Sequence, residues 1–347
     1  MLNRREFVTQ VAGASVALAI PAVLRQQPGI VQTVRGPVDA AKLGFTLPHE
    51  HVCPSSAGFW EVWPEFFGGR AQFIDHVVGK LRALHAEGVD TIVDVTPADL
   101  GRDVRLLEEV SRKSGVNIVA CTGHWLKPSL SMEARTVDEL AAFFTLEIER
   151  GISGTGIKPG VIKVATDADG VTPFIERALR AAARTSKATG VPVTTHTFAP
   201  KRIGEKQADI FESEKLDPAK VCLGHCDDTD DMDYLTGLVK RGYTIGMDHI
   251  WWGAATDPAS KTLSWQQRAQ NIKRLIDAGF VRQIFLSNDW YFGVSMAPTG
   301  TMETLEKVNP DGMLFNTHKT IPYLKQIGVT DLELRTITVD NPRRFFG

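Results

Sequence analysis

Hydrophobic positions along this chain follow two alternating patterns from residue 31 onward. Short apolar and β-branched runs, such as residues 91–95 and 117–121, are typical of strands buried on both faces of a parallel sheet. Longer segments between them, such as residues 71–87 and 173–189, carry apolar residues at helical spacing, and the second has Pro173 in its first turn. The pattern therefore predicts strands and helices in regular alternation.

Eight strands are predicted, and a helix or a helix-sized segment follows each of them. The strands are expected at residues 43–48, 91–95, 117–121, 160–164, 191–195, 220–223, 243–247 and 283–287. Helical spacing is found at residues 71–87, 104–113, 137–150, 173–189, 208–214, 232–240 and 266–278. Eight such units in about 250 residues predict an α/β protein with a single closed (β/α)8 TIM barrel, preceded by a short β-hairpin around Gly36. An open doubly wound sheet is the alternative, but no glycine-rich phosphate loop follows the first strand.

The first 28 residues differ from the rest of the chain. Arg4 and Arg5 precede a run of small apolar residues, 11–23, which is apolar all round rather than on one face. This arrangement predicts a twin-arginine export signal over residues 1–28, since the run is short for a membrane span. We therefore expect a barrel domain over residues 29–347 and a periplasmic protein, which the signal segment can attach to the inner membrane.

Composition narrows the class of protein. Hydrophobic residues make up 43% of the chain, charged residues 23%, and the net charge is -2, as in an ordinary globular protein. Because no basic run or surplus is present to meet phosphates, nucleic acid is not an expected partner. The four cysteines are too few for a disulfide scaffold and are better explained as small buried thiols.

Polar and ionisable side chains follow the predicted strands, at the end where TIM barrels carry their chemistry. In chain order they are His49, His51, Asp94, His124, Lys163, His196, His225, Asp227, Asp228, Asp248, His249, Asn288 and Asp289. His49 and His51 are one residue apart, so in a strand both project from the same face. Any single one of these residues is explained equally well by ordinary hydrogen bonding at a strand end. Together, without partners, they would suffer desolvation and mutual repulsion, which bound metal ions would reverse.

Six segments carry a more specific signal. They read GFTLPHEH at residues 44–51, GVIKVAT at 160–166, VTTHT at 193–197, GHCDDTDD at 224–231, LSNDW at 286–290 and VNPDG at 308–312. These segments resemble bacterial phosphotriesterases of the amidohydrolase superfamily, in the same order and spacing over nearly the whole chain. The resemblance implies a hydrolase that cleaves organophosphate triesters and releases an aryl alcohol.

The resemblance also implies a binuclear metal centre, usually of zinc. Its ligands in this chain would be His49, His51, Lys163, His196, His225 and Asp289. The first two histidines and the aspartate would hold the more buried ion, and the other two histidines the more exposed one. Lys163 would bridge both ions as a carboxylated lysine, because a carbamate is an anionic oxygen ligand whereas an ammonium would be repelled.

Catalysis in such a centre would use a hydroxide shared by the two ions, since metal coordination lowers the pKa of water. Asp289 would take the proton and pass it through His249 toward Asp228. Structural hydrogen bonding at a strand end is the alternative explanation of His249 and Asp228.

The substrate pocket is where the sequence departs from its relatives. Its candidate residues are Leu100, His124, Trp125, Trp252, Tyr291, Phe292 and Met296. Trp125 is retained, and an aromatic ring there can stack on a leaving group. Packing at the barrel rim or at a dimer surface is the alternative explanation of Trp252 and Tyr291.

Two kinds of hydrolase remain open. The loop at residues 250–264 is short, a feature of related lactonases, which share the whole metal apparatus. Lack of a tyrosine near residues 97–100 favours the phosphotriesterase over a lactonase with promiscuous phosphotriesterase activity. A non-catalytic exported metal-binding protein is a third alternative, but every ligand position is filled. The expected partners are a small phosphotriester or lactone and a second copy of the chain, with residues 63–67 as the dimer contact.

Overall fold

A computed structural model describes residues 25–254 and 262–347 and has eight parallel strands in a nearly closed barrel. The antiparallel hairpin before the barrel consists of β1 (Ile30–Thr33) and β2 (Gly36–Asp39). The barrel strands are β3 (Phe45–Glu50), β4 (Val89–Asp94), β5 (Asn117–Gly123), β6 (Val161–Ala165), β7 (Val193–His196), β8 (Val221–Leu223), β9 (Thr244–Met247) and β10 (Ile284–Leu286). Each strand pairs with the next in chain order, from β3 to β10. The predicted TIM barrel and hairpin are confirmed.

Helices connect the strands and cover the outside of the barrel. They are α1 (Phe59–Val62), α2 (Arg70–Ala86), α3 (Val104–Ser114), α4 (Leu130–Glu133), α5 (Val137–Arg150), α6 (Pro173–Thr189), α7 (Ile203–Ser213), α8 (Met232–Lys240), α9 (Trp265–Asp277), α10 (Thr301–Val308), α11 (Ile321–Gln326), α12 (Asp331–Arg335) and α13 (Asn341–Phe346). Local sequence sets several of their ends. Thr136 and Glu139 form a capping box at the start of α5, and Gly190 ends α6 in the left-handed conformation that glycine adopts freely.

Helix α7 begins earlier than its apolar spacing indicated. The apolar spacing places residues 208–214 in a helix, whereas the observed helix begins at Ile203 and ends at Ser213. Gly204 explains the difference, because glycine weakens the helical signal. An added Cβ would lie 2.3 Å from the Tyr234 hydroxyl, so a larger residue at position 204 would have to displace that side chain.

Apolar side chains fill the interior of the barrel, and the polar residues lie at the carboxyl ends of the strands. An apolar cluster that includes Val93, Val119 and Phe285 packs inside the barrel against Phe345 and Phe346 of α13. Side chains from α2, α3 and α6 bury their apolar faces against the outside of the strands. The polar residues that follow the strands are therefore held above a packed core.

The seam between the first and last barrel strands is irregular. Beyond the end of β10, the backbone amide of Asp289 donates to the carbonyl of His49, and the amide of His51 donates to the carbonyl of Trp290, at 3.0 and 2.8 Å. The backbone amide of His49 also donates to the Ser287 hydroxyl oxygen, at 2.9 Å. These bonds join the two strands through residues that sequence analysis placed in the site.

Two sequence predictions fall wholly or partly outside the described residues. Most of the predicted export signal, residues 1–24, lies there, as do residues 255–261 of the loop at 250–264. Within the part of the chain that is described, no helix has the length and apolarity needed to cross a membrane.

Candidate metal centre

Four of the predicted ligands form one cluster at the carboxyl end of the barrel. His49 Nε2 lies 2.6 Å from Lys163 Nζ and 3.7 Å from Asp289 Oδ1. His51 Nε2 lies 3.1 Å from the same oxygen of Asp289. Strands β3 and β6 and the turn after β10 therefore direct these side chains to a common point.

His196 and His225 complete the set. The ring centroid of His225 is 4.3 Å from that of His196 and 4.8 Å from that of His49. His225 is fully buried, and its Nε2 has no hydrogen-bond partner among the described residues. The structure thus brings all six predicted ligands to one end of the barrel.

Two of these residues have an unusual backbone. His225 has a φ of 57° and Asp289 a φ of 50°, both in the left-handed region. Residues other than glycine avoid this region at a cost of about 1–3 kcal/mol, and such strain concentrates at functional sites. The surrounding contacts must therefore hold both residues in place.

A buried aspartate links the two halves of the cluster. Asp248 follows β9, and its carboxylate oxygens lie 2.9 Å from Nδ1 of His49 and 2.9 Å from Nδ1 of His225. Because a carboxylate accepts hydrogen bonds, the bond from His225 favours a proton on Nδ1 of that ring, and the 2.9 Å approach of the other oxygen favours the same tautomer of His49; each ring then presents the Nε2 lone pair. Asp248 thereby favours one tautomer in both His49 and His225, which are proposed ligands of different cations.

Two glycines make room for this aspartate. A Cβ on Gly246 would lie 2.3 Å from Asp248 Oδ2. A Cβ on Gly224 would lie 2.2 Å from the Thr195 carbonyl oxygen and 3.2 Å from the His49 ring. A larger residue at position 224 would require a shift of the backbone, and one at position 246 would displace the Asp248 carboxylate.

The donor set fits a pair of divalent cations. Three groups of histidine and aspartate side chains have ligand atoms that lie within 4.8 Å of one another inside each group. The groups overlap, because His49, His225 and Asp289 each belong to two of them. Imidazole nitrogens and carboxylate oxygens are typical ligands of zinc and similar metals. The unpartnered Nε2 of His225 is a buried donor atom for such an ion.

Electrostatics favour the ligating forms of the side chains. Burial, followed by the charge of Lys163, lowers the pKa of His49 to about 3. Burial, followed by His225, lowers the pKa of His196 well below its usual value. Burial also lowers the pKa of Lys163, against the opposing effect of Asp289. Both imidazoles are therefore neutral near pH 7, which is the form that binds a metal.

His249 lies between two carboxylates. Its Nδ1 is 2.8 Å from Asp228 Oδ2, and its Nε2 is 2.9 Å from Asp289 Oδ2. Burial opposes the charged form of His249, but Asp228 and Asp289 outweigh burial and raise its pKa well above the usual value. A continuous hydrogen-bonded path therefore runs from Asp289 through His249 to Asp228.

Arg268 anchors the far end of this path. Its buried guanidinium donates to the carboxylate of Asp228 and, at 3.0 Å, to the carbonyl of Asp227. The Asp227 carboxylate in turn accepts the backbone amides of Asp248 and His249, at 3.0 and 3.1 Å. The turn that carries Asp248 and His249 is thus fixed to the turn that carries Asp228.

The Asp228→Asn substitution should change how the stability of the metal-free protein depends on pH. His249, with its pKa raised from 6.5, contributes stability that is full below pH 6.5 and is lost as the pH rises through its folded pKa. Asp228, with its pKa lowered from 3.8, contributes stability that is full above pH 3.8 and is lost as the pH falls. In urea unfolding, the destabilisation should therefore be largest between about pH 4 and 6.5. The exposed neighbour variant Asp230→Asn should show no such window, and a pH-independent effect of Asp228→Asn would contradict the ion pair.

Two of the predicted pocket residues contact histidines of the cluster. The Trp125 ring meets His196 edge-on, with 6.2 Å between centroids. The Trp252 ring lies 5.3 Å from that of His249 and is 37% exposed. Both aromatic rings therefore border the side of the cluster that faces solvent.

His124 contacts Asp99, which in turn binds the backbone of Trp125. Its ring packs edge-on against Phe174 with 4.9 Å between centroids, and its Nδ1 lies 3.4 Å from Asp99 Oδ2. Asp99 also accepts the backbone amide of Trp125 at 3.1 Å. The position of His124 therefore suits support of the Trp125 backbone.

The other pocket candidates are spread around the rim. Leu100 is buried, Met296 is 45% exposed, and the Tyr291 ring is parallel to that of Trp290 at 6.2 Å. Phe292 lines a cavity of about 430 Å³ near α2 and α10. None of the six predicted ligands is among the described residues lining that cavity. The structure therefore does not place Phe292 in a common cavity with the cluster.

Sequence analysis assigned no role to Glu50 or Asp248. The two-residue period of strands contained a signal for both. Glu50 stands between His49 and His51, and Asp248 directly precedes His249, so each side chain points away from its neighbours. The alternation along a strand does not identify the residues that each of these two carboxylates contacts.

Comparisons with known proteins agree with this geometry. The sequence pattern of the phosphotriesterase family matches residues 29–346. A phosphotriesterase homology protein of Mycobacterium tuberculosis is 37% identical over 91% of this chain and 97% of its own length. The aryldialkylphosphatase of Saccharolobus solfataricus is 35% identical over 89% of this chain and 96% of its own length. The solved structure of the phosphotriesterase from Mycobacterium tuberculosis, 37% identical, superimposes with a TM-score of 0.82 over 91% of this chain and 98% of that chain.

Proposed function

Because this chain belongs to the phosphotriesterase family, we propose that it is a metal-dependent hydrolase of organophosphate triesters, with aryl dialkyl phosphates as the substrate class. The observation that carries the proposal is the hydrogen-bonded path from Asp289 through His249 to Asp228, which starts at the ligand cluster itself. A protein that only stored metal would have no use for such a path. The similarity to an aryldialkylphosphatase supports the choice of substrate.

Each side chain of the centre has a separate task in this proposal. When bound, two divalent cations, zinc by preference, supply Lewis acidity toward the phosphoryl oxygen and lower the pKa of water. One cation would be held by His49, His51 and Asp289, and the other by His196 and His225. Asp248 keeps Nε2 of His49 and His225 free of protons for this purpose.

The proton path serves the attack of water on phosphorus. As the new P–O bond forms and the bond to the aryl oxygen breaks, Asp289 accepts the proton that the water loses. Once Asp289 binds a cation, it no longer favours a second proton on His249. The neutral ring, protonated on Nδ1, would then take this proton at Nε2 and release the one on Nδ1 to Asp228, 2.8 Å away. Arg268 stabilises Asp228 in its charged form and so keeps it ready as the acceptor.

We further propose that Lys163 is carboxylated. Its side chain is 1% exposed, and burial lowers its pKa, which favours the neutral amine. A neutral amine adds to carbon dioxide, so that an N–C bond forms and one proton is released. The product is an anionic ligand with two oxygens, a better match to two cations than an ammonium group.

Aromatic residues at the rim are proposed to bind the leaving group. Trp125 and Trp252 lie beside His196 and His249, and a flat aryl group can stack on either ring. Tyr291 and Met296 would border the same opening. His124 contributes by holding the backbone of Trp125.

The relative rates on two substrates test the proposed function. For one zinc- or cobalt-loaded preparation, we expect kcat/KM for an aryl dialkyl phosphate to exceed that for an aromatic lactone by about 100-fold, or about 2.7 kcal/mol of transition-state binding. Metal-free protein is the control for background hydrolysis. A lactone preference of the same size would instead support the lactonase alternative, and a metal-loaded protein inert toward both would support a non-catalytic role.

Export and dimerisation are two further proposals. Arg4 and Arg5, followed by an apolar run, support export to the periplasm. Val62, Trp63 and Phe66 are 60%, 57% and 43% exposed, which supports contact with a second copy of the chain. Cell fractionation and light scattering test the two proposals.

A further inference from the structure

Glu50 is a fully buried carboxylate that the proposed mechanism does not use. It is the last residue of β3 and lies between two ligand candidates, His49 and His51. Because side chains alternate along a strand, Glu50 points to the opposite face from these two histidines. Buried carboxylates need hydrogen-bond donors, so its partners indicate its role.

Among the described residues, every hydrogen bond that the Glu50 side chain accepts comes from the segment after β10. Its Oε1 accepts the Ser287 hydroxyl at 2.8 Å, the Asn288 amide at 2.8 Å and the Asn288 side chain at 3.0 Å. Its Oε2 accepts the Trp290 amide at 2.9 Å. The carboxylate therefore binds the backbone on both sides of Asp289.

Asp289 is a residue whose backbone needs support. Its φ of 50° lies in the left-handed region, which an aspartate can adopt but which is uncommon for residues other than glycine. Two amides fixed on either side of it leave the turn little freedom, and the turn directs the carboxylate to His51 at 3.1 Å and to His249 at 2.9 Å. The same turn lies at the irregular seam, where no regular ladder joins β3 and β10 among the described strands.

We propose that Glu50 is a positioning residue that closes the seam of the barrel and holds Asp289 in its ligating conformation. The proposal rests on the proposed function, because it takes Asp289 as a metal ligand. Two acceptor oxygens are required, since four donors converge on them. Burial raises the pKa of Glu50 to about 8, and the hydrogen bonds from Trp290, Ser287 and Asn288 oppose that rise. A glutamine can satisfy the three donors at Oε1, but its amide would then face the N–H of Trp290, which is also a donor.

The Glu50→Gln variant tests the proposal without any substrate. In a competition with a chelator, we expect its affinity for Co²⁺ to fall about 10- to 100-fold. The control is Asn341→Ala, which removes two hydrogen bonds of 2.8 Å, one to the Val281 carbonyl before β10 and one to the Ile284 carbonyl at its amino end. It should lower the melting temperature and leave the Co²⁺ affinity unchanged. A folded Glu50→Gln variant with wild-type Co²⁺ affinity overturns the proposal, even if its melting temperature falls.

Two further measurements keep the test decisive. If Glu50→Gln does not fold, Ser287→Ala removes one of the four donors and should weaken Co²⁺ binding several-fold, and unchanged binding again overturns the proposal. In metal-free protein, hydrogen exchange of the Asn288 and Trp290 amides should be at least about 10-fold faster in Glu50→Gln. If the wild type binds no metal, the proposed function fails, and unchanged exchange at these amides would separately refute the seam role.

Discussion

Replacement of Lys163 by alanine is expected to remove at least one cation per chain and to lower kcat/KM by about 1,000-fold or more, equivalent to about 4 kcal/mol. Lys163 is buried, and its Nζ lies 2.6 Å from His49 Nε2. In the proposed centre it is the one side chain that binds both cations, so its loss weakens both sites at once. Metal content by mass spectrometry and kcat/KM on an aryl dialkyl phosphate measure the two effects.

A small carboxylic acid should restore part of this activity. The Lys163→Ala variant leaves space for an acetate or propionate ion at the position of the carbamate, so the recovery should saturate with acid concentration. Lys201→Ala is the matched control, because this exposed lysine donates to the Ala168 carbonyl, just after the strand that carries Lys163. It should retain its metal and show no response to the acid. Full activity of Lys163→Ala without added acid would rule out the carbamate bridge.

The architecture was predictable because its signals are local. Residues 91–95 and 117–121 are β-branched and apolar, and the strands Val89–Asp94 and Asn117–Gly123 form there. Helix α5 has the predicted bounds, since Thr136 caps its start and Gly151 follows its end. The order of strands around the barrel followed from their alternation with helices. Helix α7 was the exception, because Gly204 hides its first turn.

The composition of the site was predictable, but the contacts that hold it were not. Parallel strands end at one face, so His49, Lys163 and His225 had to approach one another once the barrel closed. The left-handed backbone of His225 and Asp289 has no counterpart in the sequence, because a histidine or an aspartate can adopt either conformation. Such backbone geometry depends on hydrogen bonds between segments that are distant in the chain.

The contacts of Asp248 could not be predicted from the sequence either, since its two partners lie on β3 and beyond β8. Sequence analysis placed it at a strand end, but only the folded barrel shows that its carboxylate reaches Nδ1 of His49 and of His225. The space for it comes from Gly224 and Gly246, whose added Cβ atoms would meet the Thr195 carbonyl and Asp248 itself. The role of Asp248 depends on glycines in two other positions of the fold, so it is difficult to infer from the residues of one strand.

The second large effect is therefore expected from Asp248→Asn. The carboxylate accepts a proton from both histidines, whereas an asparagine has one oxygen and one NH₂ group. At the histidine that faces the NH₂ group, Nδ1 must become the acceptor and the proton moves to Nε2. A protonated Nε2 cannot bind a metal, so we expect one cation per chain instead of two and a fall in kcat/KM of about 100- to 10,000-fold.

Metal stoichiometry and kcat/KM on one cobalt-loaded preparation measure this outcome. The control is Asp217→Asn, which alters an aspartate that caps the 3₁₀ turn Pro218–Lys220, before β8. This variant should bind two cations and keep its activity. If Asp248→Asn also binds two cations with kcat/KM within about threefold of wild type, tautomer control by Asp248 is wrong, and its carboxylate serves only to fill the space that Gly224 and Gly246 leave.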